Sequence, residues 1–120
     1  MKPVRVILSD EAEEAYNELN ARAANSKIEC SILKFIDYKK NLIKANPHYG
    51  EPVAKKLIPA VYIKKYEIKN LFWVSLANRW RMFYTLKNDG EIEIIAFVLC
   101  IKSHPDYDWL MGYKKDRKRK

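Results

Sequence analysis

The stretch that most constrains this chain is EIEIIAFVLCIK, residues 91–102. It opens by alternating acids with isoleucine and then turns continuously apolar. A strand with one wet face keeps its alternation to the end, whereas a strand covered on both faces loses it. The run is about ten residues, too short to span a bilayer. It therefore predicts an interior strand, and the rest of the chain has to supply sheet neighbours and a layer on each face.

Those parts can be read in order. Residues 3–8, PVRVIL, predict a short first strand with Val4, Val6 and Leu8 on one apolar face. Ser9 and Asp10 offer helix caps, and Asp10 with Glu13 has capping-box spacing. Ala12, Ala15, Tyr16, Leu19 and Ala23 then recur at helical spacing, with the acids gathered in the first turn where the helix dipole favours them. Ser26 and Glu29 repeat the cap signal and open a second helix whose expected buried stripe is Ile28, Ile32, Phe35, Ile36 and Ile43. Two helices joined this tightly form an antiparallel hairpin.

NPHYGEP, residues 46–52, is rich in breakers and reads as a loop. VAKKLIP predicts a single helical turn before Pro59. AVYIKKYEIKN settles on no one period and is expected to be extended. LFWVSLA and RWRMFYTL read as strands, with Arg79 and Arg81 on one side of the second. KNDG is a hairpin turn signal. HPDYDWLMG closes the chain as a short helix, with Asp106 or His104 as cap, Pro105 near its start and Gly112 at its end. The expected fold is α+β: an N-terminal strand, a helical hairpin, an antiparallel three-strand meander that completes a small sheet, and a short C-terminal helix.

At 120 residues and 48% hydrophobic composition, one domain with a sizeable core is expected. Residues 1–113 form that domain, and the basic end KKDRKRK, residues 114–120, is expected to be a disordered tail. Cys30 and Cys100 lie in apolar runs without metal-ligand spacing. They read as buried free thiols in a reducing compartment, with no metal and no cofactor. The start carries no signal-peptide pattern. The net charge is +8, and residues 31–88 alone, with twelve bases against three acids, carry +9, whereas residues 89–113 hold one base against five acids. Such a basic body suits phosphates or an acidic partner.

The interior strand empties into CIKSHPDYDWL, residues 100–110, where titratable and aromatic residues crowd together. This is either a catalytic rim or an ordinary strand-to-helix turn. Arg81, next but one to Arg79, carries a fork of donors suited to a phosphate. His104 is suited to proton transfer near neutrality. Tyr107 could bond a phosphate or stack on a base, or anchor the core. Lys102 adds positive charge or ends the strand. His48 and Glu51 are weaker candidates. Trp73, Trp80 and Trp109 read more readily as core than as stacking platforms.

The order of these elements, carried by residues 55–110 (KKL before the sheet, LFWVSL, RWRMFY, the long apolar strand and the His/Asp/aromatic segment), resembles the RelE/ParE superfamily of toxins from type II toxin–antitoxin systems. The resemblance implies a compact prokaryotic, cytoplasmic toxin bound by a cognate antitoxin. Many members cleave messenger RNA, often on the ribosome, without a metal; the ParE branch instead poisons DNA gyrase, and an inactive RNA-binding homologue is a third possibility. Carried over, the resemblance assigns Arg81, His104 and Tyr107 to catalysis and Arg79, Lys102, Lys55 and Lys56 to RNA binding. Family members that use lysines place them on the strand equivalent to LFWVSL. Here Trp73 and Ser75 stand in those places, so the histidine variant fits better.

Overall fold

A computed structural model of the protein describes residues 3–89 and 93–112. In chain order, these comprise β1 (Val4–Leu8), α1 (Asp10–Ala23), α2 (Lys27–Ala45), β2 (Glu51–Pro52), a 3-10 turn (Lys55–Leu57), α3 (Ala60–Tyr66), β3 (Phe72–Ser75), a second 3-10 turn (Ala77–Arg79), β4 (Arg81–Asp89), β5 (Glu93–Lys102) and α4 (His104–Met111). Of the expected KNDG turn, Lys87–Asp89 instead continue β4 in register with β5, and Gly90 lies outside the described residues, as does the basic tail.

The fold is α+β, built on one mixed sheet with strand order β1-β5-β4-β3-β2. β3, β4 and β5 form the expected meander, and β1 lies parallel to β5, Val6 opposite Ala96. The apolar run is interior, with β1 on one side and β4 on the other. The sheet's middle strand is β4.

Both faces of the sheet are covered. The α1–α2 hairpin lies on one face, over Val74, Met82, Tyr84, Ala96, Val98 and Ile101. α3 and α4 lie on the other, where Tyr62, Tyr107 and Met111 pack with Phe83, Leu99 and Cys100. The ladder between β4 and β5 slips at Phe83/Tyr84, because Phe83 pairs with Cys100 and Tyr84 with Val98. Leu99 is therefore a bulge, and it shares a face with Cys100. Its carbonyl turns to the β1 side, where it accepts the Ser9 hydroxyl at 2.7 Å. The same buried hydroxyl caps α1 by accepting Ala12 N–H at 3.0 Å, so Ser9 rather than Asp10 starts that helix. At the start of α2 the Ser26 hydroxyl pairs with the Glu29 carboxylate.

Four expectations are corrected. Residues 60–66 are helical because Tyr62, with Tyr66 behind it, packs inward. Val61 and Ile63 are exposed and blur the period. Residues 51–52 form a short extra edge strand against Phe72 and Trp73. On α2 the buried residues are Ile32, Leu33, Ile36 and Ile43, while Ile28 and Phe35 are 55% and 43% exposed. These two lie to one side of the stripe that the first helix covers. Trp109 points outward at 57% exposure, whereas its neighbours Tyr107 and Asp108 are buried. Cys100 is buried as expected, and Cys30 is half-buried.

Candidate functional site

The hairpin between β3 and β4 sets the first half of the site. Leu76 N–H bonds Trp80 C=O at 2.8 Å, and the five-residue connection inside it turns through Asn78 and Arg79, at φ 58° and 64°. Arg79 is therefore not on the strand. Its left-handed backbone, uncommon for a residue other than glycine, breaks the alternation that would align it with Arg81. Arg81 is the first residue of β4 and pairs with Ser75 on one side and Lys102 on the other. Its side chain lies on the α3–α4 face, the face of Phe83 two residues on.

There the guanidinium carbon sits 3.7 Å from the ring centre of Trp73 and 4.4 Å from that of Tyr107. The cation is held between two aromatic rings. Such contacts stabilise by roughly 0.5–2 kcal/mol each, depending on desolvation. Among the described residues, no carboxylate pairs with Arg81.

The second half comes from α4. Ser103 occupies its N-cap position, Pro105 sits in the first turn and Gly112, at φ 78°, ends it. His104 is thus the first helical residue rather than the cap, and Asp106 lies in the first turn. Helical spacing places Tyr107 and Asp108 one turn on from His104. The His104 Nδ1 lies 2.7 Å from the Tyr107 hydroxyl. Its Nε2 lies 3.2 Å from Arg79 Nη2 and 3.5 Å from Asp108 Oδ2. Tyr107 is only 4% exposed and is also a member of the α3–α4 core, so its anchoring and polar roles coexist in one side chain.

Arg79, Arg81, His104 and Tyr107 are therefore brought together, with Trp73 and Asp108 added. Sequence reasoning treated Trp73 as core and gave Asp108 no role. The signal available for Asp108 was its position four residues after a histidine on a helix.

The other candidates lie apart. Lys102 pairs with Glu11 of α1 at 3.1 Å. Burial alone would lower its pKa, but the Glu11 hydrogen bond and nearby charge outweigh this and raise it. Glu11 also accepts from the Tyr62 hydroxyl at 3.3 Å, which ties α1, α3 and the end of β5 into one knot. Next to this knot is a cleft of about 310 Å³ whose lining includes Glu14, Glu18, Glu29, Asp106 and Trp80, so the surroundings of Lys102 are acidic. Lys55 and Lys56 are exposed on their 3-10 turn and make no hydrogen bond or ion pair to the cluster. Glu51 is exposed, and its register opposite Trp73 puts it on the sheet face of the cluster. His48 is exposed and meets the Phe72 ring edge-on at 5.7 Å. No three His, Cys, Asp or Glu side chains among the described residues converge as a metal site would require.

No described helix is long and apolar enough to cross a membrane. Comparison with family models, with curated proteins and with solved structures gives no match to this chain.

Proposed function

We propose that the chain is the toxin of a RelE/ParE-like toxin–antitoxin pair and that it cleaves messenger RNA in the cytoplasm, by attack of a ribose 2′-OH on the adjacent phosphate. One observation carries this reading: the Arg81 guanidinium lies against both Trp73 and Tyr107, pairs with no carboxylate among the described residues, and shares Tyr107 with His104.

The chemistry follows from that arrangement. Two non-bridging phosphate oxygens match two edge donors of a guanidinium, and a clamped guanidinium loses little freedom on binding them. As the O2′–P bond forms and the P–O5′ bond breaks, negative charge grows on those oxygens, where Arg81 stabilises it. The 2′-OH must lose a proton and O5′ must gain one. His104 and the Tyr107 hydroxyl are the groups suited to both transfers. DNA lacks the 2′-OH and is not a substrate for this step. The partner is a cognate antitoxin whose acidic segment meets the basic surface of residues 31–88.

The test is expression of the chain with and without its neighbouring gene, with mapping of RNA ends in arrested cells. The expected products end in a cyclic phosphate and a 5′-OH. Arg81→Ala and His104→Gln should abolish both cleavage and toxicity. Full toxicity of either variant would sink the mechanism. Inhibited supercoiling with intact RNA would replace it by gyrase poisoning.

A further inference from the structure

The Nε2 atom of His104 has two neighbours that cannot be satisfied at once. Arg79 can only donate, so its contact at 3.2 Å requires a lone pair on Nε2. Asp108 in its ionised form can only accept, so its contact at 3.5 Å requires a proton there. A ring nitrogen offers one or the other. The two contacts thus belong to two states of one nitrogen, lone pair free or proton bound, the second being either the neutral Nε2–H tautomer or the imidazolium, and Nδ1 faces the Tyr107 hydroxyl in both.

The two rivals are held differently. Asp108 is 5% exposed and fixed on α4. Arg79 is exposed on the left-handed turn, and its side chain can swing without moving a strand. Other charges nearby are Arg81 of β4, against the Tyr107 ring, Asp106 of α4, and Lys102 of β5, which is already paired with Glu11 of α1.

We infer that Arg79 is a latch on His104 Nε2 and Asp108 the positioning residue that takes its place, so that arrival of a phosphate and protonation of the Nε2 atom are coupled. An incoming phosphate draws Arg79 away and uncovers the Nε2 lone pair. On the RNA-cleavage reading, from which the direction of proton flow is taken, Nε2 then accepts the 2′-OH proton as the O2′–P bond forms. Asp108 holds the resulting imidazolium in plane. Tyr107 gives its hydroxyl proton to the departing O5′ and is reprotonated from Nδ1–H. One proton enters at Nε2 and one leaves at Nδ1, and the ring is neutral again at the end.

The exchange itself can be read without RNA. The full chain, with labelled histidine nitrogens, is titrated with sulfate at about pH 7 against chloride of equal ionic strength. Sulfate should move the Nε2 resonance from the acceptor position towards the protonated one. The expected rise in the ratio of protonated to unprotonated Nε2 is about fivefold, the lower end of ordinary coupling between sites. Asp108→Asn should lose most of this shift. Arg79→Ala lies on the surface, where folding is not at risk, and should lose the sulfate response because nothing is left to draw away. A wild-type response in either variant, or no response in the native chain, overturns the inference. A sulfate response with intact RNA would keep the exchange and discard the cleavage reading. RNA cleavage by Asp108→Asn with the native rate and pH profile would discard the inference and leave the cleavage reading standing.

Discussion

Tyr84→Phe removes one oxygen atom from the centre of the sheet and should destabilise the whole chain measurably. The Tyr84 hydroxyl donates to the Pro47 carbonyl at 2.8 Å and accepts the Gly50 N–H at 2.9 Å. Together these pin the loop from residue 46 to β2 onto the hairpin-covered face, and burial raises the phenol's pKa. Phenylalanine keeps the ring stacked on Phe72, 5.4 Å away, so packing is not the lost quantity. What is lost is a partner for a buried N–H, which costs about 1–3 kcal/mol, and for a carbonyl that water can partly reach, which costs less. A total of about 2–3 kcal/mol follows. At this chain length that lowers Tm by roughly 10 °C. Urea unfolding should show a lower midpoint with an unchanged slope, because the surface exposed on unfolding is the same. Gly50→Ala approaches the same contact from the other side, since a Cβ there would lie 2.9 Å from the Tyr84 hydroxyl and 3.0 Å from the Trp73 carbonyl. The two changes should not add. A loss below about 0.5 kcal/mol in Tyr84→Phe would show that the loop is held by something other than this hydroxyl.

Arg81→Lys keeps the charge but loses the flat fork between two rings, so RNA cleavage should fall by about 10²–10³-fold while the thermal melt moves little. Tyr107→Phe preserves the ring against Arg81 and should retain the fold, yet cleavage should drop by about 10²–10⁴-fold in a rate assay. Burial pushes the Cys100 thiol up to about 12 from 9.0. The fold therefore keeps a proton that the unfolded chain releases above its ordinary value, so this stabilisation is complete below about pH 9 and is lost as pH rises towards 12. Cys100→Ala should flatten the alkaline fall of unfolding free energy by up to about 1.4 kcal/mol per pH unit, measured by denaturant titration.

How far the sequence could be read depended on how many residues shared each signal. The interior strand was legible because its alternation gave way to an unbroken apolar run from Ile94 to Ile101, and the helical hairpin because Ser9, Ser26 and their stripes agreed. α3 was not legible, because Tyr62 and Tyr66 point inward between exposed Val61 and Ile63. β2 is two residues long and contains a proline, so it leaves no periodic trace. Within the candidate site, Arg81, His104 and Tyr107 were readable because each lies where an interior strand meets its end. Arg79 was misplaced because Asn78 turns the chain without a glycine to announce it. The pairing of Asp108 with His104 follows from helical spacing, but the burial of Asp108 depends on which face α4 turns to the sheet, and only the packed fold decides that.

The bulge at Leu99 separates two duties of β5. Removing that one residue would restore an even ladder with β4 and leave Lys102 opposite Arg81, so the start of α4 and the histidine on it would keep their address. What would vanish is the acceptor for the Ser9 hydroxyl, which weakens the seam between the first helix and the sheet although Ser9 N–H keeps the Val98 carbonyl. Deletion at position 99 should therefore loosen the N-terminal layer and also strip packing from beneath Tyr107, while Arg81 keeps its register opposite Lys102.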